Sequence, residues 1–129
     1  MKACMTRTTV SLQALLKAQK RFETFRQRLR DEQDKAGAIQ AFEFCFELAW
    51  KTMKKKIEQM QSESIIGPRD TFRAGALFKL IDDAEVWFTF LDYRNLTSHT
   101  YEEDVAEEVV AIFPQFSQEL AALITRMSK

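Results

Sequence analysis

Glycine and proline are scarce in this chain, at three and two residues. So few breakers argue against a fold of many short strands joined by tight turns, and favour long helices. Cysteine is as rare: Cys4 and Cys45 stand alone, without CxxC spacing, which gives no disulfide framework. Cys45 falls in an apolar helical run and reads as a small buried hydrophobe. No apolar run approaches the ~20 residues that cross a bilayer. The opening "MKACMTRTTVSL" has no apolar h-region. Neither a membrane span nor a secretion signal is expected, and a cytoplasmic protein without disulfides follows. No Gly-rich phosphate loop, GxSxG, HExxH or Walker pattern occurs. Net charge is zero, so bulk charge alone does not draw the chain to polyanions.

What is present fits a globular fold. The chain has 129 residues, 46% hydrophobic and 29% charged, enough to bury a core as one domain over 1–129. Charge is uneven: residues 1–60 hold 13 Lys/Arg and 7 Asp/Glu, whereas residues 61–129 hold 6 and 12. One reading is that the halves attract each other within a bundle. The other is a basic face for nucleic acid or nucleotide and an acidic face for a partner protein.

Helical periodicity runs through the sequence. Val10, Leu12, Leu15, Leu16, Phe22, Phe25 and Leu29 predict an amphipathic helix over 9–31, capped by Thr8 or Thr9. "DEQDKAG" supplies polar turn chemistry. Ile39, Phe42, Phe46, Ala49, Trp50, Met53, Ile57 and Met60 predict a second helix of about six turns. Gly67 reads as an N-cap with Pro68 at the first position of a short helix over 68–81. Asp82 with Glu85 resembles a capping box for the next helix, 84–96, and Thr100 with Glu103 resembles another. The last helix should run from Tyr101 to Met127, kinked at Pro114. The fold class is therefore all-α: an antiparallel up-and-down four-helix bundle with one additional short helix.

The stretch "RNLTSHTY", Arg94 to Tyr101, holds the only histidine, His99, and one of two tyrosines. On a continuous helix, five residues at roughly 100° each would send Arg94 and His99 to divergent faces. They converge only if the helix ends between them, and Thr97 and Ser98 suit such an end. An imidazole titrates near neutrality and moves protons. A guanidinium grips phosphate with two parallel hydrogen bonds. Together they suit metal-independent RNA cleavage, with His99 helping the 2′-hydroxyl attack and Arg94 stabilising the phosphorane. Asn95, Thr97 and Ser98 would orient or donate, and are equally at home as turn chemistry. One histidine does not serve as both base and acid, so a homodimer would supply a second pair. The bland reading has Arg94 favoured by the helix dipole and His99 capping free carbonyls.

Other constellations are weaker. Glu43 and Glu47 share a helix face and could form a metal or acid/base pair, but Lys51 or the basic first helix is their more ordinary partner. Trp50, Trp87, Phe88 and Phe90 could stack bases, though helical spacing makes them core first. "KTMKKK" (51–56) is a solvated basic face.

Taken together, "AIQAFEFCFELAWKTMKKKIE" (38–58) and "GPRDTFRAGALFKLIDDAEVWFTFLDYRNLTSHTYEEDVAEEV" (67–109) resemble the nucleotidyltransferase substrate-binding proteins. These are relatives of the HEPN superfamily and of HepT toxins. The resemblance covers most of the chain beyond the first helix. It implies a homodimeric up-and-down bundle without a cofactor or metal of its own. It also implies a partner: a separate minimal nucleotidyltransferase encoded nearby, which supplies the metal-bound NTP chemistry. In the HepT-like branch the pair is toxin and antitoxin, and an Arg-x4-His-x-Tyr motif falls here on Arg94, His99 and Tyr101. There Arg and His are ribonuclease residues, and Tyr receives AMP. Gly67 stands where the pattern carries Ser before "PRD", and an acidic run at 102–108 follows the motif. The expectation is a partner subunit of a two-protein nucleotidyltransferase system; the alternative is a ribonuclease silenced by AMP transfer to Tyr101.

Overall fold

The computed structural model describes residues 7–129, with side chains from Ser11 onward. Cys4, the opening segment and the side chains of Thr8 and Thr9 lie outside the described residues. Among the described residues six helices form: α1 (Arg7–Phe25), α2 (Glu32–Met60), α3 (Gly67–Leu77), α4 (Ala84–Leu96), α5 (Glu103–Ala111) and α6 (Phe113–Met127). A 3-10 turn, Thr97–His99, joins α4 to α5. No strand occurs among the described residues. The four legs of the up-and-down bundle are α1, α2, α4 and the composite α5–α6, and α3 is the additional short helix.

Two contacts fix the direction of the first hairpin. Lys55 near the end of α2 donates to Ser11 at the start of α1 (2.9 Å), and the Phe25 ring at the end of α1 lies against Gly37 near the start of α2. The helices are antiparallel, as their six-residue link requires. Similarly, Arg126 near the end of α6 reaches Asp82 just before α4 (2.8 Å).

Helix ends differ from the sequence expectation by a few residues, for local reasons. α1 stops at Phe25, and Asp31 caps α2 by accepting from the Asp34 amide (2.8 Å). α2 runs 29 residues, about eight turns. Asp83, not Asp82, caps α4, accepting from the Glu85 amide (2.9 Å). Asp82 is occupied with Arg126. Thr100 does not cap α5; its hydroxyl donates back to the Thr97 carbonyl (3.1 Å). Pro114 does not kink one long helix. It falls in the first turn of α6, where its missing N–H costs nothing, and the chain breaks at Ile112 instead. Gly67 opens α3 with φ of +79°, a conformation that glycine adopts without steric cost.

The core is aromatic. Phe116 on α6 is fully buried and meets Phe22, Phe42 and Phe90 edge-on, with ring centroids 5.4, 4.9 and 5.2 Å away. Each such pair contributes about 0.5–1.5 kcal/mol beyond area burial. Trp87 and Phe90 are fully buried here, so the core reading of those rings holds. Phe88 is partly buried under the guanidinium groups of Arg69 and Arg73. Cys45 is fully buried, and that burial pushes its thiol up to about 12. This packing fixes α4 against α2, which sets the geometry of the corner after α4.

Candidate functional site

The helix does end between Arg94 and His99. α4 closes at Leu96 and tightens into the 3-10 turn Thr97–His99. Side-chain hydroxyls satisfy the carbonyls freed there. Ser98 donates to the Asn95 carbonyl (3.1 Å) and Thr100 to that of Thr97 (3.1 Å), while the Glu102 amide reaches the His99 carbonyl (3.1 Å). Ser98 thus does turn work, and Asn95 faces solvent. Thr97 is different: it is 7% exposed, and its hydroxyl lies 2.6 Å from the Arg94 carbonyl and 2.8 Å from Glu43 Oε2.

Arg94 leans across to α2. Its Nη1 lies 3.6 Å from Glu43 Oε2, and its Nε lies 3.5 Å from Glu47 Oε1. Nη1 also meets the Thr97 hydroxyl at 3.5 Å. Nε is buried and finds no hydrogen bond within normal geometry, so Glu47 holds it by charge rather than by a directed bond. Glu47 is itself anchored, accepting from Trp50 Nε1 (2.8 Å). Glu43 and Glu47 therefore take Arg94 as their partner, in place of Lys51 or the first helix. Lys51 instead sits over the Trp50 ring, 5.9 Å from its centroid. No group of three or more metal-ligating side chains occurs among the described residues.

His99 and Tyr101 form a second, outward group. His99 is exposed, Tyr101 is 82% exposed, and their ring centroids lie 6.3 Å apart. Tyr101 also borders a groove of about 320 Å³ between the starts of α2 and α5, with Lys35, Ile39 and Ala106 in its walls. Neither Arg94 nor His99 lines that groove. Arg94 and His99 share no hydrogen bond or ion pair among the described residues. The corner thus presents an imidazole and a phenol outward and a carboxylate-bound guanidinium inward. The acidic residues after it, Glu102, Glu103 and Asp104, are exposed, and Glu107 pairs with Lys35.

The carboxylate cradle was visible in sequence only as an i,i+4 pair. Trp50, an indole three residues after Glu47, shares that half-buried face of α2, but nothing local pointed to Arg94 as the partner.

The family described as nucleotidyltransferase substrate binding protein like matches residues 7–129. This chain belongs to that family. A relative from Haemophilus influenzae, described as a probable ribonuclease HepT, is 38% identical over 96 residues. That match covers 71% of this chain and 66% of the relative, so it spans just under two thirds of the relative's length. The solved structure of HI0074 from Haemophilus influenzae superposes with a TM-score of 0.85 at 30% identity, covering 92% of this chain and 99% of that one. It is described as the fold of a substrate binding domain of a nucleotidyltransferase. A protein from Thermus thermophilus shares the fold, with a TM-score of 0.82, 24% identity and 89% and 99% coverage. The family and the all-α class read from the sequence are those found. No helix among the described residues is long and apolar enough to cross a membrane.

Proposed function

We propose that this protein is the partner subunit of a two-protein minimal nucleotidyltransferase system of toxin–antitoxin type. A homodimer of the 1–129 bundle presents its α4–α5 corner to a small nucleotidyltransferase encoded nearby. The observation that carries this reading is the exposure of Tyr101, 82%, on a corner whose family is described by nucleotidyltransferase substrate binding. A phenol standing clear of the surface reaches another protein's active site without unfolding. In the transfer, the Tyr101 oxygen bonds to the α-phosphorus of ATP, pyrophosphate leaves, and the phenolic proton passes to solvent or to a base of the partner. The product places bulk and negative charge beside His99. Intact mass after co-expression with the neighbouring nucleotidyltransferase tests this. One or more AMP additions that vanish in Tyr101→Phe are expected, and an unmodified chain sinks the reading.

The description of the Haemophilus relative as a probable ribonuclease favours a second reading, a metal-independent endoribonuclease. In it His99 takes the 2′-hydroxyl proton, the resulting oxyanion attacks phosphorus, and Arg94 stabilises the phosphorane. The partner subunit of the dimer supplies the acid for the 5′-oxygen leaving group. Against this stands the inward, carboxylate-bound Arg94, which must turn toward the phosphate. Single-stranded RNA incubated in excess EDTA separates the readings. Cleavage by the wild type that is lost in His99→Ala supports the nuclease, and equal outcomes for both proteins remove it.

A further inference from the structure

We propose that Glu43 and Glu47 are positioning residues for Arg94, and that their combined charge holds down its affinity for a phosphodiester. This deepens the second reading above and rests on Arg94 as a phosphate-binding group. A guanidinium offers two forks for bidentate contact. One pairs Nε with a terminal nitrogen, and the other pairs the two terminal nitrogens. Nε faces Glu47 at 3.5 Å and Nη1 faces Glu43 at 3.6 Å, so each fork already has one member turned to a carboxylate. A phosphate that takes either fork therefore competes with the charge of a carboxylate at one of its two nitrogens.

Neutral polar groups flank both carboxylates. Trp50 Nε1 donates to Glu47 Oε2 at 2.8 Å, which leaves Oε1 for Arg94. The Thr97 hydroxyl, just after α4, lies between the Arg94 carbonyl (2.6 Å) and Glu43 Oε2 (2.8 Å). Arg94 is thus gripped across two helices by groups that are themselves oriented, as second-tier contacts orient a site. The three charges sum to −1, and an anionic phosphodiester approaches a net negative cluster rather than a free cation. Side-chain exposures of 30%, 33% and 35% mean that solvent screens this charge without cancelling it.

Replacing one carboxylate by its isosteric amide makes the cluster neutral and weakens the charge that competes for one fork. Binding of a fluorescent 2′-O-methyl oligoribonucleotide, which lacks the attacking hydroxyl and is not consumed, is measured by anisotropy at fixed ionic strength. Glu47→Gln and Glu43→Gln should each tighten binding by about three- to tenfold. The gain should vanish when Arg94→Met is added. Glu63→Gln, an exposed carboxylate beyond α2, makes the same change in net charge and should leave binding within about twofold of wild type. A gain that survives Arg94→Met, unchanged or weaker binding in both amide variants, or no binding by any protein overturns the proposal. Cleavage of unmodified RNA in EDTA is followed in parallel. Tighter binding without cleavage removes the nuclease reading and leaves the carboxylate grip standing.

Discussion

The buried Nε of Arg94 lies 3.5 Å from Oε1 of Glu47, on a helix almost fifty residues earlier in the chain. This contact and the one to Glu43 tie the end of α4 to the middle of α2. Arg94→Met keeps most of the apolar stem and removes the charge, leaving two carboxylates without their cation. We expect a loss of about 1 kcal/mol, discounted for the one-third exposure of all three side chains. Urea unfolding at low and high salt checks it, and the difference from wild type should shrink as salt rises.

Phe116 lies at the centre of the aromatic core, edge-on to four rings from α1, α2 and α4. Phe116→Ala should cost about 3–5 kcal/mol, because it opens a cavity whose walls belong to four helices and collapse poorly. The urea midpoint measures this, and a loss below about 1 kcal/mol would show that the rings repack.

Lys79 has φ of +64°, in the left-handed region. It follows α3 in a Schellman closure, with the Leu80 amide on the Gly75 carbonyl (2.8 Å) and the Lys79 amide on that of Ala76 (3.2 Å). A side chain there costs energy that glycine avoids. Lys79→Gly should raise stability by about 0.5–1 kcal/mol, visible as a higher melting temperature.

Glu58 accepts from the Ile65 amide (2.8 Å) and pairs with Lys54 (3.1 Å). The Ile65 bond first, and then Lys54, hold its carboxyl below the usual carboxylate range. A folded value below the unfolded one stabilises the protein above the unfolded value, and that contribution is lost as pH falls through the folded one. Glu58→Gln should therefore be less stable than wild type at pH 7, by about 0.5 kcal/mol. The gap should close progressively below the ordinary value of 4.5. Unfolding midpoints from pH 7 to pH 3 test the sign.

Cys45 is buried and its thiol is pushed up to about 12, so it stays protonated at pH 8. Iodoacetamide should leave Cys45 unlabelled in the folded protein and modify it in denaturant, as read by peptide mass. Rapid labelling of the Cys45 peptide in the native protein would place the thiol nearer to solvent.

Periodicity made the helices legible. The apolar stripe from Ile39 to Ile57 marks the face of α2 that packs, and Phe22, Phe42, Phe46 and Trp87 all lie inside. The ends were less legible because each depends on which of two neighbouring groups captures a free amide. Asp83 caps α4, while its neighbour Asp82 pairs with Arg126, far along the chain. Pro114 was legible as a break, but whether it bends one helix or starts another turns on the packing of Phe113 and Phe116.

At the corner, local chemistry alone settled that α4 stops before His99. Threonine and serine hydroxyls there compete for the helix carbonyls, and the residues that do so are adjacent in sequence. Long-range packing decided the rest. Glu43 and Glu47 became the partners of Arg94 because α4 docks on α2, a relationship that no local pattern encodes. His99 and Tyr101 stayed outside because the chain turns away from that contact before reaching them. Short-range spacing determines which residues a helix offers on each face; only the docking of one helix on another decides which charges meet.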